Sequence, residues 1–491
     1  MSMRKRIILA MSTLASVLPQ AVPSVAAAKP NIVFILIDDM GGADVGCFGS
    51  KYHETPNIDR LASQGMRFTD GYAACAVCSP TRASILTGKY PARLHLTDWI
   101  AGEGNRPSQK LKIPDWRMYL PLEETTVAKA LKAAGYATAS IGKWHLGGPE
   151  YYPEHHGFDL NIAGTHFGHP ASYFWPYKGK SHTVAGLQDR GKEGEYLNDR
   201  LTDEAVKFIE QSKDRPFFLY FAHYAVHMPL MAKPELLAKY KAKTPPGEQK
   251  NATYAAMVES VDDSVGRIMN TVETLGIASN TVIVFMSDNG GLWPQATCNA
   301  PLRAGKGYPY EGGIREPLII KWPGATPPGS TCSVPVSSID FHPTLLEMAG
   351  VAQPGTVDGV SLVPLLKQTG AIRREALYWH YPHYWGGVPS RVRPYGVVRA
   401  GDWKLIEFYE DMRVELYNLK EDVSEAHDLA TDKPEKAAEL RAMLHTWRES
   451  VGAQMPTPNP AFNADPTGQG EKKPAGRTGK GGRTTRGKEN Q

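Results

Sequence analysis

Short apolar runs alternate with amphipathic stretches through residues 31–350. Asn31-Ile-Val-Phe-Ile-Leu-Ile37 is apolar at every position after the first, as a strand covered on both faces must be. Tyr136–Ile141, Pro216–Phe221 and Thr281–Met286 repeat the pattern as further strands. Between them, Pro56–Gln64, Glu123–Ala134 and Leu201–Gln211 have helical spacing. Met257, Val261, Val265, Ile268, Val272 and Leu275 recur three and four apart, which predicts a core-facing helix over 254–275. Strands alternating with helices define an α/β domain built on a mainly parallel sheet. After Pro364-Leu-Leu366 the character changes. Ala376–Leu419 is aromatic-rich and alternating, with a Gly401-Asp402 turn signal, and predicts an antiparallel sheet. Pro434–Val451 predicts a closing helix. The expected organisation is a catalytic domain over 29–365, a linker near 352–375 and a smaller C-terminal α+β domain over 366–462, without internal repeats.

The composition is that of a globular chain: 42% hydrophobic and 22% charged over 491 residues, which excludes a disordered, collagen-like or multi-span membrane protein. The net charge of +4 suggests a polyanion partner, but it is carried by the ends. Arg4, Lys5 and Arg6 are the only charges before Lys29, and residues 463–491 hold seven basic against three acidic side chains, leaving 29–462 slightly acidic. Residues 1–28 have the plan of a secretory leader: basic start, the apolar run Ile7–Leu18, and Ala26-Ala27-Ala28 before the cut. Export to a periplasm or beyond is expected, with no membrane span once the leader is removed and no nucleic-acid partner. The Gly-, Lys-, Arg- and Thr-rich tail 463–491 has almost nothing to bury and predicts disorder. An exported chain is permitted disulfides, and the five cysteines (Cys47, Cys75, Cys78, Cys298, Cys332) are odd in number. If Cys78 is left over, the other four allow three pairings.

Open α/β sheets bind ligands beyond the carboxyl ends of their strands. Four predicted strands end in polar residues: Asp38-Asp39, then Lys143 and His145, then His227, then Asp288-Asn289. Asp and Asn suit strand-end turns, but four such ends on one edge point to an active site. The oxygen donors Asp38, Asp39, Asp288 and Asn289 suit a hard cation, calcium or magnesium, and no histidine pair with zinc spacing lies beside them. Cys78-Ser-Pro-Thr-Arg82-Ala-Ser-Ile-Leu-Thr87-Gly88 places Pro80 at an expected first helical position and Cys78 at a helix N-terminus, where backbone N–H groups stabilise an oxyanion.

This segment resembles the signature of the formylglycine-dependent sulfatases. Pro56-Asn-Ile-Asp-Arg-Leu-Ala62, Ile141-Gly-Lys-Trp-His-Leu-Gly147, Ser287-Asp-Asn-Gly290 and Lys306 with Glu311-Gly-Gly-Ile-Arg315 resemble further blocks of that family, in order, so that the likeness spans about 30–460. The resemblance implies an alkaline-phosphatase-like fold: a mixed, mostly parallel sheet sandwiched by helices, with a smaller C-terminal sheet-and-helix domain. It implies that a formylglycine-generating enzyme converts Cys78 to formylglycine (3-oxoalanine), whose hydrated form attacks sulfur with one hydroxyl and expels sulfate with the other. It implies calcium, rather than magnesium, held by Asp38, Asp39, Asp288 and Asn289 beside Cys78, with Asp39 assisting the attack. Arg82 and Lys143 would hold the formylglycine, Lys143 and Lys306 the sulfate oxygens. His145 would assist regeneration of the aldehyde, and His227 would protonate the leaving alcohol.

The alcohol is not named by the family. His166-Phe-Gly-His169 through Tyr177, and Trp379-His380-Tyr-Pro-His383 through Gly387, are dense in histidine and aromatics, which suit sugar faces and hydroxyls. Thr165, His166, His169, His380 and His383 are therefore the expected substrate contacts, and a sulfated carbohydrate or polysaccharide the expected substrate. The alternatives are a small aryl sulfate, a phosphoester or phosphonate ester hydrolase of the same superfamily, and a glycan-binding protein without activity.

Overall fold

Asn31–Ile37 is a central strand of an eight-stranded sheet and serves two cores. Val33, Ile35 and Ile37 face the cluster shared with the helices Pro56–Gln64, Leu197–Ser212 and Ala252–Thr274. Ile32, Phe34 and Leu36 face the one shared with Cys78–Thr87, Val127–Ala133 and Phe341–Met348. Each such side chain contributes on the order of 1.5–3 kcal/mol of burial, so the run admits no polar position. The structure, a computed structural model, describes residues 29–187, 191–387 and 390–463. The expected leader, 1–28, and the expected disordered tail beyond Asn463 lie outside the described residues.

The strand order is Ser330–Cys332, Met66–Phe68, Leu318–Lys321, Thr281–Ser287, Asn31–Ile37, Phe217–Ala222, Ala137–Gly142, Leu160–Ile162. The last five are parallel, and Leu318–Lys321 runs antiparallel to both neighbours. The sheet is mixed and mostly parallel, with helices on both faces, as expected. Its register pairs Ile37 with Ser287, and Ala222 with both Leu36 and Gly142. Four carboxyl ends therefore finish level, and whatever follows them shares one edge.

Leu377–Tyr381, Tyr395–Ala400, Trp403–Phe408 and Val414–Asn418 form an antiparallel sheet. Leu440, Leu444 and Trp447 of the helix Pro434–Ser450 cover one face of it through Val398, Leu405 and Leu416. Trp379, Tyr381, Val397 and Ile406 on the other face pack against Tyr72, Cys75, Val77 and Ile314 of the large unit. Buried ion pairs line the same contact: Lys404 lies 2.9 Å from Glu311 across it and 2.8 Å from Glu425 within the smaller unit, and Arg399 lies 2.7 Å from Asp70 across it. The expected linker 352–375 contains the helical turn Val363–Leu366, whose Leu365 and Leu366 join the core of the large unit.

The helix expected from Glu123 starts at Val127, because the Thr126 hydroxyl accepts from the Lys129 N–H and ends the preceding turn. Among the described residues no helix is long and apolar enough to cross a membrane. All five cysteines are free thiols.

Candidate active site

The level strand ends gather the polar residues. Asp38 and Asp39 follow Ile37, with Asp39 in the left-handed region at φ 61°. Asp288 and Asn289 follow Ser287 on the neighbouring strand. Lys143 and His145 follow Gly142, and His227 closes the turn beyond Ala222. Opposite them stands the helix Cys78–Thr87, every residue of which is buried. Cys78 is its first residue, so Pro80 is the third rather than the first. The shift costs no hydrogen bond, because the N–H groups of the first turn have no intrahelical partner. Gly88, at φ 70°, ends the helix.

Three carboxylates face three cations in this buried volume. Lys143 Nζ donates to both oxygens of Asp38 at 2.8 Å. Lys306 Nζ donates to Asp39 at 2.6 and 2.9 Å and lies 4.0 Å from Cys78 Sγ. Arg82 donates from Nε to Asp288 Oδ2 at 2.8 Å and from Nη1 to the Lys143 carbonyl at 3.0 Å. Asn289 Nδ2 donates to Asp39 Oδ1 at 2.8 Å. Burial pushes Asp38 up to about 8 against the pull of Lys143, with repulsion from Asp288 and Asp39 adding to the rise. Burial acts the same way on Asp39, but Lys306 and His227 outweigh it and hold that carboxyl below the usual range. Burial also raises the Cys78 thiol, so an unmodified Cys78 is a protonated, weak nucleophile at neutral pH.

A cation fits this donor set. Ligand atoms of Asp38, Cys78 and Asp288 lie within 4.8 Å of one another, as do those of Asp38, Asp39 and His227. Asn289 Oδ1 is buried with no hydrogen-bond partner among the described residues, an acceptor that a metal would satisfy. A divalent ion would also relieve the repulsion among the three carboxylates.

The two histidines differ in which ring nitrogen is free. His145 Nε2 meets the Ile100 carbonyl, which only accepts, so Nε2 carries the proton and Nδ1 keeps its lone pair. Burial, with Lys143, holds His145 well below its ordinary range and hence neutral. His227 is reversed: Nδ1 donates to the Met228 carbonyl at 2.8 Å, and Nε2 lies 3.5 Å from Asp39. Burial pushes His227 down to about 3, opposed by Asp39.

A cavity of about 530 Å³ opens over this centre, with Asp39, Cys78, His145, His227 and Lys306 in its lining. His166, Phe167 and His169 line it from one loop, and Trp99, Ile100, Leu292 and Trp385 add apolar wall. Thr165 is buried beside His145, accepting its N–H at the backbone carbonyl, and is not in the lining. His380 and His383 require correction. His380 is buried between the Tyr409 hydroxyl at 2.8 Å and the Gln454 carbonyl at 2.9 Å, and His383 is buried against Thr97 Oγ1 at 2.8 Å. Both fill polar sites in the packing of the C-terminal sheet and do not reach the cavity. Trp99, Ile100 and Leu292 carry no sequence signal for a site, whereas Phe167 and Trp385 fall inside the aromatic-rich segments.

Known proteins share this arrangement of sequence and fold. The family model described as "Sulfatase" matches residues 30–351, and that described as "N-sulphoglucosamine sulphohydrolase, C-terminal" matches 305–451. A sulfatase of Formosa agariphila is 35% identical, over 85% of this chain and 88% of its own. Arylsulfatase A of Homo sapiens is 36% identical, over 77% of this chain and 75% of its own. The crystal structure of Ps i-CgsB in complex with k-i-k-neocarrahexaose superposes with a TM-score of 0.73 at 32% identity, covering 86% of this chain and 93% of that one.

Proposed function

The chain belongs to the sulfatase family and is a sulfuric ester hydrolase with an alkaline-phosphatase-like fold; from that premise we propose that it removes sulfate from a sulfated carbohydrate, using formylglycine made from Cys78 and one calcium ion. The observation that carries the mechanism is the place of Cys78, at a buried helix N-terminus 4.0 Å from Lys306, its sulfur within 4.8 Å of carboxylate oxygens of Asp38 and Asp288. Asp38, Asp39, Asp288 and Asn289 would hold the calcium. When bound, such an ion would polarise sulfate oxygens and lower the pKa of a coordinated hydroxyl, while the hydrated aldehyde at position 78 would supply, as one of its two hydroxyls, the oxygen nucleophile that a protonated thiol is not.

The chain's own residues supply the rest. Lys143 and Lys306 are fixed cations for the sulfate oxygens, and Arg82 anchors Asp288 and the Lys143 backbone. His145 takes up a proton at Nδ1, its free nitrogen. His227 delivers one from Nε2 to the leaving oxygen. An anionic ester entering beside Nε2 adds negative charge to that of Asp39 and favours the proton there.

The cavity walls support a sugar as the alcohol. Trp99, Phe167 and Trp385 offer aromatic faces, and His166 and His169 offer ring nitrogens for hydroxyls. A similar protein holds a carrageenan-type hexasaccharide. The plan of residues 1–28 supports export, which fractionation of expressing cells tests. The deciding experiment measures sulfate released from a panel of sulfated mono- and oligosaccharides against 4-nitrophenyl sulfate, with mass spectrometry of the Cys78 peptide. A higher kcat/KM on a sulfated sugar is expected. Turnover confined to the aryl ester would exclude the carbohydrate reading, and activity from an unmodified thiol would exclude formylglycine.

A further inference from the structure

Residues 97–101 connect the cavity to the C-terminal sheet. Ile100 touches both sides of the reacting centre. Its carbonyl accepts from His145 Nε2, and its N–H donates to the hydroxyl of Ser79, next to Cys78, at 3.2 Å. The His145 ring is clamped on another side by Gly168, where an added Cβ would lie 2.4 Å from the ring carbon Cε1. Nδ1 of His145 is buried and has no hydrogen-bond partner among the described residues. The position of one backbone carbonyl thus decides which nitrogen of His145 is free.

Asp98 stands two residues before that carbonyl. Its side chain is fully buried. Oδ1 accepts from the Trp99 N–H at 2.9 Å and from the Tyr381 hydroxyl at 2.7 Å. Tyr381 ends the strand Leu377–Tyr381 of the smaller sheet. Oδ2 makes no hydrogen bond among the described residues and lies 3.8 Å from His383 Nδ1. A buried carboxyl used only to fill space would cost stability against an apolar residue. Here it ties a loop of irregular backbone to a rigid strand.

We propose that Asp98 is a positioning residue for His145: by tying Trp99–Ala101 to Tyr381, it holds the Ile100 carbonyl where it keeps the imidazole proton on Nε2 and leaves Nδ1 free as the proton acceptor. This rests on the reading of His145 as a base. It also gives the smaller sheet a part in the chemistry, since the tie ends on a residue of that sheet.

The test uses the full chain with Asp98→Ala, Asp98→Asn, Tyr381→Phe and His145→Ala, singly and with His145→Ala combined with Asp98→Ala. The readouts are kcat and KM on 4-nitrophenyl sulfate, and the His145 tautomer from nitrogen NMR of histidine-labelled protein, assigned by difference from His145→Ala. Asp98→Ala is expected to lower kcat about tenfold, in the range of other orienting partners, with KM within about twofold. It should convert the pure Nε2–H tautomer to a mixture and cost nothing further in the His145→Ala background. Asp98→Asn keeps an oxygen acceptor and should recover most of the loss. Tyr381→Phe removes one hydroxyl and gives the same tautomer shift, smaller, should Asp98→Ala fail to fold. A pure Nε2–H tautomer in both Asp98→Ala and Tyr381→Phe overturns the proposal, as does an equal loss of kcat with and without His145. If His145→Ala leaves kcat unchanged, the base reading fails by itself, and the tautomer still reports on the tie.

Discussion

His227 holds Nε2 3.5 Å from Asp39 Oδ2 while Nδ1 is committed to the Met228 carbonyl, so a single ring nitrogen faces the reacting centre. Proton delivery from that nitrogen matters in proportion to the basicity of the leaving oxygen. A sugar alkoxide cannot leave without a proton, whereas 4-nitrophenolate can. His227→Ala should therefore lower kcat/KM on a sulfated monosaccharide by about 10²–10⁴-fold, the usual range for a lost general acid, and on 4-nitrophenyl sulfate by about tenfold or less. Equal losses on the two esters would make His227 a binding or structural residue.

The cation prediction starts from Asn289, whose Oδ1 is buried without a hydrogen-bond partner among the described residues. Calorimetric titration of metal-stripped protein should show one calcium site, and activity should fall with chelation and return with calcium. Calcium at a hundredfold excess over Kd should stabilise the fold by about 2.7 kcal/mol. Asn289→Ala keeps the carboxylates but removes one neutral oxygen, so it should weaken binding at unchanged stoichiometry. Identical affinity in Asn289→Ala would remove that residue from the ligand set.

The central strands and the long helices are legible in the sequence because each has one repeating environment. Ile32–Ile37 is apolar throughout because both its faces are covered, and Ala252–Thr274 repeats apolar residues every three to four because that stripe joins the core cluster shared with the sheet. Met66–Phe68, Leu318–Lys321 and Ser330–Cys332 span three or four residues, too few for a period to show. The charged centre is legible for a topological reason: parallel strands in level register deliver whatever follows them to one edge. The cavity wall is not. Trp99 and Ile100 look like core residues, and only the tertiary path of their loop brings them over Cys78. His380 and His383 show the converse, since a histidine serves equally well as a buried hydrogen-bonding group or a sugar contact.

Lys404 carries a stability prediction. It is fully buried between Glu311 and Glu425, on the face where the C-terminal sheet meets the large unit. Lys404→Met keeps most of the stem but leaves two buried carboxylates without their cation, and loss of one partner of a buried pair typically costs about 3–5 kcal/mol. Denaturant unfolding should show a loss of that size. A change under about 1 kcal/mol would mean that Arg315 and Arg399 suffice to neutralise Glu311.

Glu316 makes stability depend on pH. It is 2% exposed, and neither carboxyl oxygen has a hydrogen-bond partner among the described residues. The adjacent Arg315 is engaged with Asp70 and Glu311 instead. Burial, with repulsion from Asp288, Asp44 and Asp39, raises the Glu316 carboxyl well above 4.5. Below the unfolded-state pKa both states hold the proton, and the group carries no ionisation penalty. As pH rises past that value the unfolded chain releases its proton while the folded chain retains it, so the native state loses about 1.4 kcal/mol per pH unit until the folded pKa is reached. Glu316→Gln keeps the shape and cannot ionise. Its stability relative to the parent should therefore climb by that slope as pH rises above about 5, until the folded pKa is reached, read from urea midpoints with calcium in excess so that the other carboxylates behave alike in both proteins. A stability difference that stays constant over this range would mean that Glu316 ionises in the folded protein with a partner.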